Sequence, residues 1–169
     1  RTETLLFKED PEMPQLNVGD KAPDFELPLT LETTWKLSDY VGKKNILLLF
    51  FPFAFSPPCH EELCSVRDGF SEWQNLDAEI VGISVDHPFV LEKWKEILGL
   101  QYTLVSDFNK TVSPAYGAFH ETLGPLNGVA KRSAFIIDKE GYIAFAAVSD
   151  DPLKMPDFAA IQAKLKELS

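Results

Sequence analysis

Cys59 stands where a cysteine can be turned into a nucleophile. It follows the segment Phe51-Pro52-Phe53-Ala54-Phe55-Ser56-Pro57-Pro58, which joins an apolar strand pattern to an amphipathic helix pattern. Open α/β sheets place ligands at such strand-to-helix junctions. Ser56 suits the N-cap, and Pro57 or Pro58 suits the first helical position, where the missing N–H would have had no intrahelical partner. Pro57 itself precedes a proline, so the start can slip by one residue. Either start puts Cys59 in the first turn, among unpaired backbone N–H groups and at the positive end of the helix dipole. Both stabilise a thiolate over a thiol. With Ser56 at the N-cap and Cys59 at the third helical position, sulfur replaces the carboxylate of a capping box, within reach of the Ser56 hydroxyl. The chemistry suggested is nucleophilic attack by sulfur.

Cys64, five residues on, is the only other cysteine. In a reducing compartment such a pair is redox-active or metal-binding rather than a permanent bridge. Zinc sites ordinarily use four donors, with two to four residues between paired cysteines. Four residues intervene here, His60 among them, and there is no second cysteine pair. Cys64 also reads as a small buried hydrophobe, because it follows Leu63 on the inward side of a helix. His60 reads as a solvated first-turn side chain and His87, before Pro88, as a loop residue. Arg67 pairs either with Asp68 or Glu72, or joins Glu62. Phe53 and Phe55 line either a substrate pocket or a subunit contact.

The elements that must position Cys59 are legible around it. Asn45-Ile46-Leu47-Leu48-Leu49-Phe50-Phe51 is an uninterrupted apolar run of the kind buried on both faces of a sheet, and Pro52 ends it. From His60 to about Leu76, the residues Leu63, Val66, Phe70, Trp73 and Leu76 recur three or four apart and predict one amphipathic helix. Glu79 to Asp86 is a second buried strand. Pro88 to Leu98 is a helix with Leu91, Trp94, Ile97 and Leu98 turned inward, stopped by Gly99. A short strand at Tyr102 to Ser106 and a short helix at Thr111 to Tyr116 follow.

Ser133 to Ile137 and Tyr142 to Val148 flank Asp138-Lys139-Glu140-Gly141, a hairpin signal. Asp157 to Leu168 closes as a helix. Upstream, an acidic, proline-rich lead-in ends at Val18 to Asp24, Phe25 to Leu27 and Thr34 to Leu37 suggest a small hairpin, and Ser38 to Tyr40 a helical turn. The order predicts one α/β domain over residues 1–169, with a mixed central sheet and a thioredoxin-like topology.

The 169 residues carry 26 acidic and 16 basic side chains, a net charge of −10, which argues against nucleic acid or an anionic membrane as partner. A chain of this size buries about 70% of its unfolded surface and needs no disulfide framework. No stretch approaches the roughly 20 apolar residues of a membrane span, and the N-terminus lacks a signal-peptide pattern. A soluble, cytoplasmic protein is expected.

Pro52, Ser56 and Cys59 match the pattern Pro-x-x-x-Thr/Ser-x-x-Cys of the peroxiredoxins, and Glu62-Leu63 resembles the Glu-Leu that follows it. Arg132 to Asp138 is similar to that family's Arg-led strand, and Ala22-Pro23-Asp24-Phe25 to its entry segment. The resemblance spans residues 16 to 150. Cys59-x-x-x-x-Cys64 resembles the bacterioferritin-comigratory or peroxiredoxin Q subgroup; serine at 56 and His60 depart modestly from the pattern.

The resemblance implies a thiol-dependent peroxidase acting on hydrogen peroxide and organic hydroperoxides. Cys59 would be the peroxidatic cysteine and Cys64 the resolving one. Ser56 would bond the peroxide, Pro52 would shield the site, Arg132 would stabilise the thiolate and the leaving oxygen, and Glu62 would orient an arginine. It implies no bound cofactor, a thioredoxin-like or other thiol reductant, and a monomer or a homodimer packed near the active-site loops. It also places His120 in a site-facing loop.

An intact helix separates Cys59 and Cys64 by about 7.5 Å of rise, beyond ordinary disulfide reach, so the first turn must unwind for them to join. Three other readings compete. A one-cysteine peroxidase would rely on an external thiol. A thioredoxin-type reductase would need Cys-x-x-Cys, but position 62 is glutamate. A redox-silent binding domain would have no need of Pro52, Ser56, Cys59 and Arg132 together.

Overall fold

In the computed structural model, which describes residues 15–169, the first elements are a short hairpin, β1 (Glu26–Pro28) against β2 (Thr34–Lys36), and a 3-10 turn at Leu37–Asp39. Both fall where the sequence predicts them, and Leu27, Trp35 and Leu37 are the buried side chains. The lead-in lies outside the described residues as far as position 14. Beyond it, the Gly19 and Ala22 amides donate to Ile143 and Gly141 carbonyls at 2.8 and 2.9 Å.

The main sheet grows in both directions from β3 (Asn45–Phe50). On one side β4 (Ala78–Ser84) and β5 (Thr103–Ser106) run parallel to it; on the other, β8 (Ser133–Ile137) is antiparallel to β3, and β9 (Ile143–Val148) is antiparallel to β8. Every residue of β3 is buried, and alternation divides them between two cores. Leu47, Leu49 and Phe51 pack under the helices α1 (Pro57–Asp68), α2 (Phe70–Gln74), α3 (Pro88–Leu98) and α5 (Phe158–Leu168).

Ile46, Leu48 and Phe50 face the first hairpin, α4 (Val112–Ala115) and Ala118 and Ala130, at the open end of a second hairpin. The crossovers through α1 and α3 lie on one face because the strand order β3, β4, β5 advances in one direction and right-handed connections then share a side. This is the predicted α/β, thioredoxin-like architecture with a mixed sheet.

Three local readings are corrected. The helix expected from His60 to Leu76 is two helices, because Gly69 leaves the helical region at φ −98°, ψ 16°. Glycine weakens a helix by about 1 kcal/mol relative to alanine, and the break lets Trp73 turn inward against Phe158, with ring centroids 6.1 Å apart. Ile97 is 58% exposed rather than inward. It sits about 100° around the helix from Leu98, off the stripe of Leu91, Trp94 and Leu98.

The second hairpin, β6 (Phe119–Leu123) with β7 (Leu126–Ala130), is absent from the sequence reading. Its available signal was Gly124-Pro125, a turn dipeptide with Gly124 at φ +58°. His120 therefore lies buried in a strand, not in a loop.

Candidate active site

Register carries Arg132 to the sulfur. In the β3–β8 ladder Phe50 faces Ser133 and Ile46 faces Ile137. Arg132, one residue before Ser133, thus enters β8 at the end of the sheet where β3 delivers the chain to Pro52 and α1. Arg132 is 2% exposed, and Cys59 and Glu62 are fully buried. Its Nη2 donates to Cys59 Sγ at 3.1 Å, its Nη1 donates to Glu62 Oε2, and its Nε donates to the Pro152 carbonyl at 2.9 Å. Cys59 and Glu62, three apart on α1, present their side chains to one guanidinium. The Pro152 contact is one that sequence reasoning missed. It is a backbone carbonyl from the β9–α5 connection and has no side-chain signature.

Two acids thus share one cation in a site closed to water. Glu62 is pushed up from its ordinary 4.5 to about 7, chiefly by burial, which the attraction and hydrogen bond of Arg132 only partly offset. Its other oxygen, Oε1, has no hydrogen-bond partner among the described residues, which adds to the cost of holding the charge.

The folded chain therefore binds this proton more tightly than the unfolded chain. The stability it contributes is complete below pH 4.5 and is lost as pH rises through about 7. From that displacement, the wild type is expected to lose up to about 3 kcal/mol of unfolding free energy between pH 5 and 8 that Glu62→Gln does not lose. Denaturant titrations of both at the two pH values measure it; identical slopes against pH would rule it out.

The start of α1 departs from expectation in two ways. Ser56 is the N-cap residue, with φ −74° and ψ 143°, but its hydroxyl donates to the Phe53 carbonyl at 3.0 Å and makes no cap bond. The capping-box contact to sulfur is therefore absent from this geometry. Nor is there a cluster of free amides, because Pro57 and Pro58 occupy the first two helical positions and carry no N–H. The first helical bond is His60 N–H to the Ser56 carbonyl, at 2.9 Å. The Cys59 amide is the one N–H of the first three helical positions.

Pro52 is buried beside the β3 terminus, and Cys64 is half-buried against the helix-side core, with both thiols free. They lie on one unbroken helix, the arrangement for which the spacing demands unwinding before a disulfide can close. Arg67 does not join Glu62. Its Nε donates to Asp68 at 2.9 Å and its Nη1 to the Leu98 carbonyl at 2.8 Å. His60 is exposed, and His87 caps α3, its Nδ1 accepting from Val90 N–H at 3.2 Å.

Phe55, exposed and in the left-handed region at φ +66°, sets its ring 5.8 Å from that of Trp94. Ala54, just before it, is tied to the end of β4. Its N–H donates to Asp86 Oδ2 at 2.7 Å, as does the Ser84 hydroxyl at 2.7 Å.

A mixed thioredoxin-like sheet with a buried first-turn cysteine and a guanidinium on its sulfur defines a thiol-redox protein. The model of the AhpC/TSA family matches residues 18–146, and the chain belongs to that family, the peroxiredoxins. It is 41% identical over 133 residues to Alkyl hydroperoxide reductase E of Mycobacterium tuberculosis, covering 78% of this chain and 84% of that one. It is 38% identical over 144 residues to the chloroplastic 2-Cys peroxiredoxin BAS1 of Spinacia oleracea, which covers 79% of this chain; the chain spans about half, 52%, of that relative's length.

Among solved structures it resembles Peroxidoxin BcpB from Mycobacterium tuberculosis at a TM-score of 0.81 and 31% identity, over 92% of this chain and 99% of that one. That likeness agrees with the subgroup resemblance in the sequence. Among the described residues, no helix is long and apolar enough to cross a membrane, and no group of three or more His, Cys, Asp or Glu is placed to hold a metal ion.

Proposed function

We propose that this chain is a single-domain thiol-dependent peroxidase that reduces hydrogen peroxide and organic hydroperoxides. The observation that carries the reading is the Arg132 guanidinium set on Cys59 Sγ at 3.1 Å and fixed by Glu62 and the Pro152 carbonyl. The Cys59 thiolate attacks the distal peroxide oxygen and the O–O bond breaks. Sulfur becomes a sulfenic acid, and the departing oxygen takes a proton to leave as water or an alcohol. Arg132 stabilises the charge growing on that oxygen as a preorganised donor. Pro52 keeps water from the sulfur, Glu62 holds the arginine, and the Cys59 amide and the Ser56 hydroxyl remain to bond the peroxide.

Cys64 sulfur then attacks the sulfenic sulfur, displacing water and forming a disulfide within one chain. A dithiol reductant of thioredoxin type supplies two electrons and two protons to reopen it. Such a cycle suits a reducing compartment such as the cytoplasm, in a monomer or a homodimer. The relatives, a 2-Cys peroxiredoxin and an alkyl hydroperoxide reductase, support the reading.

Mass spectrometry after one equivalent of hydrogen peroxide tests the second step. The wild type is expected to lose two hydrogens, mapped to a Cys59–Cys64 bridge, whereas Cys64→Ser gains oxygen at Cys59. Oxygen gained at Cys59 in both proteins would instead establish a one-cysteine peroxidase that uses an external thiol.

A further inference from the structure

The segment that must unwind is held from outside at both ends. Upstream, Asp86 Oδ2 accepts the Ala54 N–H and the Ser84 hydroxyl, each at 2.7 Å. Asp86 is itself fixed, its N–H donating to Ser84 Oγ at 3.2 Å and its carbonyl accepting from Ser106 Oγ at 2.5 Å. The C-terminal ends of β3, β4 and β5 thus meet at one residue, the first two at its carboxylate and the third at its main-chain carbonyl. Downstream, the buried Tyr102 hydroxyl donates to the Leu63 carbonyl at 2.7 Å, and Arg67 ties the same helix to the Leu98 carbonyl.

Between Ala54 and Leu63, among the described residues, the side-chain hydrogen bonds that come from elsewhere in the chain are those of Arg132 to Cys59 and Glu62. The contact to Cys59 weakens once the sulfur is a neutral sulfenic acid. Phe55, just past the upstream tie, already holds a backbone conformation that non-glycine residues avoid. Cys64 lies beyond the downstream tie, so Cys59 is the partner that travels.

We infer that Asp86 is a positioning residue for peroxide attack. By holding Ala54 it fixes the upstream end of a segment, Phe55 to Glu62, whose helical turn from Pro57 must be wound for Cys59 to meet peroxide and unwound for it to reach Cys64. The inference rests on the proposed peroxidase reading. It separates the two half-reactions, because a loosened upstream end disfavours the helical arrangement and favours the unwound one.

The test uses the full chain and the variants Asp86→Ala and Asp86→Asn, with hydrogen–deuterium exchange of the reduced protein and stopped-flow fluorescence after hydrogen peroxide. In Asp86→Ala, exchange across 54–62 is expected to quicken about tenfold or more, the scale of a lost hydrogen bond to a charged group, with α3 and α5 unchanged. Oxidation of Cys59 slows by a similar factor while disulfide closure does not slow. Asp86→Asn, whose amide oxygen still accepts both donors, is expected to restore both readouts to within about threefold. Unchanged exchange at 54–62, a uniform rise across the sheet, or two half-reactions slowed together would overturn the inference. Failure of the wild type to be oxidised at Cys59 would sink the peroxidase reading instead, and the exchange contrast would still decide the role of the Asp86 tie.

Discussion

Cys59→Ser is expected to abolish peroxide consumption, lowering the second-order rate constant by about a thousandfold or more. A serine hydroxyl is not appreciably ionised near neutral pH and cannot attack the O–O bond as a thiolate does. The remaining machinery is untouched: Arg132 keeps its bonds to Glu62 and the Pro152 carbonyl. The near-ultraviolet signal of buried Trp73 and Trp94 should confirm an intact core. Substantial turnover in the folded variant would move the chemistry to Cys64 and end the present assignment. The comparison also separates a peroxidase from a redox-silent domain of the same fold, which would consume no peroxide in either form.

Arg132→Met should slow Cys59 oxidation by about two to three orders of magnitude, the usual effect of deleting a preorganised donor to developing negative charge. Arg132 gives one donor to the sulfur and two others to fixed acceptors, and a lysine, a point charge on a flexible stem, cannot reproduce that fork. Removing one member of a buried ion pair ordinarily destabilises by about 3 to 5 kcal/mol, because the other charge is stranded. Here Glu62, already pushed up to about 7, can take a proton instead, so the loss falls below that range at pH 6 and grows at pH 8. The double variant Arg132→Met/Glu62→Gln is expected to regain stability without regaining rate. A double variant with near wild-type oxidation would show that the guanidinium does not act on the reaction.

The sequence by itself determined what depends on neighbours along the chain. The run from Asn45 to Phe51 is the strongest strand signal in the chain, of the kind buried on both faces, and each face packs into its own core. Pro57 and Pro58 marked the start of α1, and Pro88 with Gly99 bounded α3 at its observed ends. Pattern and capping are local physics, and local physics is written in order. The motif residues Pro52, Ser56, Cys59 and Glu62 were legible for that reason, all within eleven positions.

Tertiary structure decided what depends on which elements meet. Arg132 lies 73 residues from Cys59 and reaches it because the β3–β8 register sets Ser133 opposite Phe50. Only the packed sheet shows the Pro152 carbonyl on Nε, Asp86 holding Ala54 and Tyr102 holding Leu63. Burial, too, is collective: it raises Glu62 through all the surrounding atoms that exclude water, which no run of residues encodes. The Ser56 hydroxyl turned to Phe53 because a nearby carbonyl competed with the sulfur, a choice between two short contacts that residue types alone do not resolve.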